Sequence, residues 1–293
     1  MSKKSIVCFG EVLWDLLPSG KIAGGAPMNV AVHANQLGLN ALMISAVGND
    51  ELGEGITSFL SSRGLSVENV QKNENQTGIV EVTLDEKGSP SYKIIESVAW
   101  DFIRLTELAK STIQAADALV FGSLALRNEI SKQTLLQLQV GAKLKILDVN
   151  LRKPFYSPKL TDELFRIADI IKVNDEELEM ICAWYGQFGN QIDNASFLKE
   201  RFKLKGIIVT RGANGAFFID ENYEMFEHQG FKVTVNDTIG SGDSFLAAFI
   251  TKWLNGETPA DALKYACAVG AFVATQKGAT PIISEVDILK IMD

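Results

Sequence analysis

The chain has 293 residues, 46% of them apolar, and a net charge of −8. That is enough to bury a large core, as one α/β unit or two small ones. The acidic balance argues against nucleic acid, which asks for clustered Lys and Arg, but local backbone donors can still hold an anionic ligand.

Ile6–Phe9 is a continuous apolar run ending at Gly10, the pattern of a strand buried on both faces. Four apolar residues are too few for a signal peptide, and no later run reaches membrane-spanning length. A cytoplasmic protein without membrane partners is expected. Cys8, Cys182 and Cys267 lie far apart without a C-x-x-C, so neither a disulfide framework nor a zinc site is indicated. His33 and His228 are too few for a histidine-rich metal site.

E-V-L-W-D-L-L continues extended to a turn at Pro18, Ser19 and Gly20. Asp15 in that run is either a surface residue on an alternating strand or a ligand for sugar hydroxyls, and pattern alone favours the surface. A-G-G-A-P-M-N-V-A follows: Gly24 and Gly25 precede Pro27, which suits a first helical turn, and Gly38 closes the helix. Asn29 falls in that first turn, where a ligand could approach the backbone; an ordinary loop and helix would look the same. Met43–Val47 reads as a buried strand and Gly53–Arg63 as a helix stopped by Gly64. Thr77–Ile95 breaks the rhythm: T-G-I-V-E-V-T-L, D-E-K-G-S-P and S-Y-K-I-I read as a β-hairpin. With residues 12–23 it forms a small flap over one end of the main body.

Strands are next expected at Ala118–Phe121, Ile146–Val149, Ile170–Val173 and Ile207–Thr210, with helices between them. This rhythm predicts a right-handed βαβ sheet covered by helices, with ligands beyond the carboxyl ends of the strands. Polar residues gather there: Gly122-Ser123, Asn150-Leu151-Arg152, Asn174 with Glu177, and Thr210-Arg211-Gly212. Singly each has a plain explanation. Asn174 and Glu177 read as an N-cap and capping box, Gly212 and Gly215 as turn glycines before a strand at Ala216–Ile219, and Arg152 as a surface arginine. Five such positions at one sheet edge are harder to explain separately.

N-D-T-I-G-S-G-D-S-F, Asn236–Phe245, is the centre of the chain. Gly240, Ser241 and Gly242 precede an apolar stretch with Phe245, Phe249 and Trp253 at four-residue spacing, which predicts a buried helix starting near Asp243. Glycines and a helix N-terminus together make an anion site, and a carboxylate in the first turn could act as a base beside a transferring phosphate. Asp243 as a simple N-cap is the plainer alternative. Asp261–Lys277 is a further apolar helix whose small residues permit close packing against a neighbouring helix or a flat ring, and Ser284–Met292 a final one. No repeat or linker splits residues 1–293, so one domain is expected. The G-x-x-x-x-G-K-[ST] phosphate loop and the dinucleotide G-x-G-x-x-G are both absent.

Together A-G-G-A-P-M-N-V-A, with Gly38 and Gly48 after it, and D-T-I-G-S-G-D resemble the two signatures of the PfkB, or ribokinase-like, family of carbohydrate kinases. Ser241 stands where alanine is more usual, which leaves the backbone donors intact. The resemblance covers essentially the whole chain. It implies a ribokinase-like three-layer α/β sandwich with a mainly parallel sheet, and a β-sheet lid at about 12–23 and 77–96 that closes over the sugar and could pair two copies as a homodimer. It implies Asp243 as the base and Gly240, Ser241 and Gly242 as the anion hole. Asp15, Gly24, Gly25, Asn29 and Arg152 then belong to the sugar site, with Asn150 in the same D-x-N-x-R segment as Arg152. Asn174, Thr210, Gly212, Gly215 and Gly242 belong to the ATP site. Glu177 organises Mg²⁺ through water, and the loop of Asp237 and Ile239 can meet K⁺, although Ile282 stands where some relatives have a polar residue.

G-E-V-L-W-D-L-L-P and G-G-A-P-M-N-V-A look most like bacterial fructokinases, implying transfer from ATP to fructose. Another acceptor (ribose, 2-keto-3-deoxygluconate or a nucleoside) and a non-catalytic sugar-binding regulator are the alternatives.

Overall fold

The computed structural model describes residues 3–17, 20–84 and 90–293. Pro18 and Ser19 of the first expected turn and residues 85–89 of the second lie outside them. In chain order the elements are β1 (Ser5–Phe9), β2 (Leu13–Leu17), β3 (Gly20–Gly24), α1 (Ala26–Gln36), β4 (Asn40–Gly48), α2 (Glu51–Ser62), β5 (Val70–Asn73), β6 (Gly78–Leu84) and β7 (Pro90–Ile94). Then come α3 (Glu107–Ala115), β8 (Ala118–Gly122), α4 (Glu129–Leu138), β9 (Lys145–Asp148), α5 (Pro158–Ile167), β10 (Ile170–Asn174), α6 (Asp175–Trp184), α7 (Gln191–Phe202) and β11 (Gly206–Thr210). The last are β12 (Ala216–Ile219), β13 (Met225–His228), α8 (Ser241–Leu254), α9 (Pro259–Thr275) and α10 (Glu285–Met292).

Nine strands form one sheet in the order β13-β12-β11-β10-β9-β8-β1-β4-β5. It is parallel from β5 to β11, and β12 and β13 join antiparallel at the edge. Successive side chains of a strand face opposite ways, so β1 feeds two cores. Ile6 and Cys8 pack with residues of α1, α2, α8 and α9, while Val7 and Phe9 pack with residues of α3 to α7. Both faces are thus covered, which is why the strands read as unbroken apolar runs. Chain order reverses at β1, which has β4 on one side and β8 on the other, so a crevice is expected beyond its carboxyl end.

A second sheet, β3-β2-β6-β7, is the expected flap. β2 runs antiparallel to β3 and parallel to β6, which is antiparallel to β7. Because β2 follows β1 directly and β3 leads straight into α1, this sheet rises from the crevice end. Trp14 pins it to the body by donating to the Leu52 carbonyl at 2.9 Å. Arg127 pins its far root, donating to the Ile95 carbonyl at 2.6 Å.

Pattern reading misses β5 and β13. Both are four-residue edge strands with polar residues, V-Q-K-N and M-F-E-H, and lack a continuous apolar run. The final helices agree with expectation to within two residues. Small residues let α9 lie close to α8: an added Cβ on Gly270 would come within 3.3 Å of the Ser241 carbonyl. Phe249 of α8 packs edge-on against Phe218 at 5.1 Å, and burying such a ring contributes about 1.5–3 kcal/mol. This packing holds α8 against the sheet. Among the described residues the three cysteines are free and buried, and no helix is long and apolar enough to cross a membrane.

Candidate active site

The start of α8 is set by Gly240, which occupies a left-handed conformation at φ 77°. A Cβ there would also run into the Ala279 carbonyl, so glycine meets two demands at once. The helix begins at Ser241, two residues before the expected start near Asp243. Asp243 is therefore the third helical residue and not the N-cap, and no side chain caps this helix. Ser241 turns its N–H back to the Thr238 carbonyl at 3.2 Å. Among the described residues the Gly242 and Asp243 amides have no intrachain acceptor, so they stand open at the positive end of the helix dipole. The Ser241 hydroxyl donates to the Gly270 carbonyl at 2.9 Å, a tether that an alanine could not make.

The side chain of Asp243 accepts from the Asn29 amide nitrogen, Nδ2 to Oδ2, at 2.8 Å. One hydrogen bond thus joins the two glycine-rich segments. Asn29 is buried in α1, whose entry is shaped by Gly25 at φ 119°, where a Cβ would strike the Glu11 carbonyl. Burial and the nearby Asp148 charge push the Asp243 carboxyl up to about 6, against the opposing pull of Asn29, Lys172 and Arg152. A carboxyl poised there is ionised at neutral pH yet still basic enough to accept a proton.

Around it stand residues from several strand ends. Asp15 on β2 is half-buried and not the plain surface residue that pattern favoured: an added Cβ on Gly24 would lie 2.7 Å from its Oδ2. Burial raises its carboxyl to about 6, and the Arg152 charge moderates the rise. Arg152 is exposed after β9, where Asn150 turns the chain through a left-handed φ of 39° that Asn tolerates. The Arg152 charge bears on Asp15, Glu11 and Asp243, so it faces the crevice they share.

The capping box expected at α6 is present. Asn174 Oδ1 accepts from the Glu177 amide at 2.8 Å and Glu177 Oε2 from the Asn174 amide at 3.0 Å. Glu177 does more than cap, because its Oε1 accepts from the Leu151 amide at 2.7 Å and ties the β9 loop to α6. With both oxygens so engaged, it fits contact with a metal through water better than direct ligation.

Thr210 lies opposite Asn174 in the β10–β11 register. Gly212 and Gly215 bracket the turn into β12, which the Arg211 amide closes on the Gly215 carbonyl at 2.8 Å. Asp237 braces its own loop, accepting from the Ile239 amide at 3.0 Å and the Gly278 amide at 3.1 Å. Ile239 of that loop and Ile282 are 41% and 77% exposed, and neither aliphatic side chain offers a cation a ligand. Among the described residues no cluster of three or more His, Cys, Asp or Glu is arranged to hold a metal.

Two buried residues escape sequence reasoning, Glu11 and Lys172, while Asp148 opens the D-x-N-x-R segment already named. Glu11, 2% exposed two residues past β1, has an unpaired Oε2. Burial raises its carboxyl to about 7, with its own backbone amide and Arg152 opposing and the Asp243 charge adding. Lys172 on β10 pairs with Asp148 on β9, Nζ to Oδ1, at 2.8 Å. An acid two residues beyond the apolar run Ile6–Phe9, and a Lys in the otherwise apolar I-I-K-V, are the signals that could have found Glu11 and Lys172.

A doubly covered, mainly parallel sheet with a small second sheet at its crevice end, and an acid at an open helix N-terminus, define a ribokinase-like α/β protein. Residues 4–285 match the model of the pfkB family of carbohydrate kinases, and the chain belongs to that family, whose members are phosphotransferases acting on an alcohol group. It is 30% identical to fructokinase-2 of Solanum lycopersicum over 95% of this chain and 92% of that one. Among solved structures, fructokinase from Vibrio cholerae O395 with fructose, ADP and calcium bound has a TM-score of 0.85 at 25% identity, with each chain covered in full. Aminoimidazole riboside kinase from Salmonella enterica, with its riboside and an ATP analogue, has a TM-score of 0.82 at 21% identity over 99% of this chain and 100% of that one, a likeness of fold alone.

Proposed function

We propose that this sugar kinase transfers the terminal phosphoryl group of ATP to fructose, giving fructose 6-phosphate. The observation that carries the reading is the Asn29–Asp243 hydrogen bond, which joins the sugar-side helix to the acid at the phosphate-side helix. Fructokinases among the relatives support the choice of acceptor.

In this mechanism Asp15, Gly24, Gly25, Asn29 and Arg152 hold the sugar, and Asn174, Thr210, Gly212 and Gly215 the nucleotide. Asp243 takes the proton of the acceptor hydroxyl as its oxygen bonds to phosphorus. The bond from phosphorus to the ADP oxygen breaks, and its electron pair leaves with ADP. The Gly242 and Asp243 amides meet the charge spread over the phosphoryl oxygens, fixed in place before reaction. Mg²⁺, bound with the nucleotide, would be held mainly by its phosphates and reach Glu177 through water, neutralising phosphate charge. The four-stranded sheet is the lid that excludes water, the surface by which two copies pair, and part of a single 1–293 domain.

The test is ADP release from Mg·ATP across fructose, ribose, 2-keto-3-deoxygluconate and adenosine. Strong stimulation by fructose alone is expected. Stimulation by another member would replace the acceptor and keep the site, whereas sugar binding without turnover would favour a regulator.

A further inference from the structure

Gly242 poses a question that backbone geometry does not answer. It lies in the first turn of α8, its φ is not in the left-handed region, and glycine inside a helix costs about 1 kcal/mol relative to alanine. Lys172 lies directly beside it: a Cβ there would touch Lys172 Nζ at 3.4 Å, an ordinary contact distance. The ammonium is therefore set directly against the turn that carries the open amides of Gly242 and Asp243.

Lys172 is 7% exposed, so its charge needs a strong reason to be there. One N–H goes to Asp148 at 2.8 Å. Among the described residues the ammonium has no other hydrogen-bond partner, although it carries three donors. Asp148 in turn keeps a buried, unpaired Oδ2. The pair sits in register on adjacent parallel strands, Lys172 opposite Asp148, both close to the carboxyl edge of the sheet. Asp148, Asp243 and Glu177 all favour the charged lysine and outweigh its burial, so it stays protonated.

We propose that Lys172 is a phosphate-contacting residue. Its ammonium, anchored by Asp148 and lodged against the bare face of Gly242, gives its spare N–H donors to the phosphoryl group moving from nucleotide to sugar. The proposal rests on the phosphotransfer reading above and adds to it a fixed positive charge beside the two amides. No proton leaves Lys172: the hydroxyl proton goes to Asp243 and the electron pair to ADP, while the lysine offsets charge on the group in flight. This accounts for a lysine in an otherwise apolar strand, set beside the first turn of α8.

Three proteins test it: wild type, Lys172→Met, and the neutral pair Asp148→Asn/Lys172→Met, which does not strand a lone buried carboxylate. Each is assayed for sugar-stimulated ADP release, for calorimetric affinity toward ADP and β,γ-imido-ATP with Mg²⁺, and for Tm. We expect kcat to fall about 10²–10³-fold in both variants, the scale for removing one transition-state donor. The preference for imido-ATP over ADP should shrink about tenfold, and the double variant should regain Tm lost in Lys172→Met without regaining turnover. An unchanged imido-ATP/ADP ratio, or turnover restored in the double variant, overturns the proposal and leaves Lys172 as counter-charge to Asp148. A wild type without sugar-stimulated turnover would instead remove the kinase reading, and this inference with it.

Discussion

Replacing Asn29 with leucine tests the hydrogen bond on which the site depends. Leucine has a similar reach, carries no donor, and leaves little room for a replacement water. The Asn29 Oδ1 is buried without a partner, so its removal breaks no other hydrogen bond. The lost interaction is a donor to an ionised carboxylate at 2.8 Å, worth about 1.5–3 kcal/mol. At about 1.4 kcal/mol per pH unit, that is roughly one to two units. Its loss disfavours the ionised base, so the acid limb of kcat/KM should move upward, from about 6 to about 7–8. The charges facing the base from other elements, Asp148, Lys172, Glu11 and Arg152, remain in place. At pH 7 the ionised share would fall from about nine-tenths to between about a tenth and a half, so activity drops roughly two- to tenfold. That part of the loss should vanish near pH 9, and what persists there measures Asn29's own contact with the sugar. An acid limb that stays within about 0.3 units of wild type would refute the reasoning, because Asp243 would then owe its ionisation to other groups.

Asp243→Asn should lower turnover roughly 10²–10⁴-fold, the range for a lost general base, with nucleotide binding retained. Its carboxyl is raised to about 6 on folding, so the folded chain binds more protons than the unfolded one between about pH 4 and 6, and stability falls as pH rises through that window. The amide abolishes that loss, so Tm at pH 7 should rise while activity collapses; a fall in both would contradict the pairing. Gly240→Ala forces a side chain into left-handed backbone and against the Ala279 carbonyl, so KM for ATP should rise and Tm drop by several degrees, at a strain of about 1–2 kcal/mol. Asp101→Asn breaks the bidentate pair with Arg127, 2.8 Å at each contact and buried on both sides. A stranded buried guanidinium costs about 3–5 kcal/mol, and thermal unfolding should show a Tm lower by about 5–8 °C for a chain of this length.

The main sheet was legible because its strands are buried on both faces: I-V-C-F and I-I-V-T are short, almost wholly apolar runs bounded by glycine or polar residues. Helix ends with local chemistry were legible too, as at Pro27 and the Asn174–Glu177 box. Boundaries slipped where tertiary contact decides them. Asp243 looks like a cap, but α8 starts at Ser241 because Gly240 fits under Ala279, which is 39 positions away in sequence. The edge strands β5 and β13 escaped because an edge needs only one apolar face. Around Asp243, groups with a local signature could be named from the sequence, Asp148 among them as the start of D-x-N-x-R, while Glu11 and Lys172 could not. Their roles come from the fold, which brings buried charges on neighbouring strand ends within reach of one helix N-terminus.

Such reach also explains how segments over two hundred positions apart act as one site. Asn29, His33 and Gln36 recur on one stripe of α1, at i, i+4 and i+7. Each meets the phosphate side of the molecule: Asn29 binds Asp243, His33 Nε2 meets the Ala279 carbonyl at 2.9 Å, and Gln36 donates to the Pro281 carbonyl and accepts from the Ile283 amide. Burial holds the His33 imidazole down to about 4, so it is neutral at physiological pH. Since a carbonyl can only accept, its one N–H must be on Nε2. Ala279 is the residue against which Gly240 packs. On the proposed function, the helix whose first turn would face the sugar therefore also holds the proposed base and backs Gly240, which sets the open amides of α8. A displacement of α1 on sugar binding would reach all three contacts together, so the proposed mechanism expects positioning of the acceptor and readiness of the phosphate end to change together.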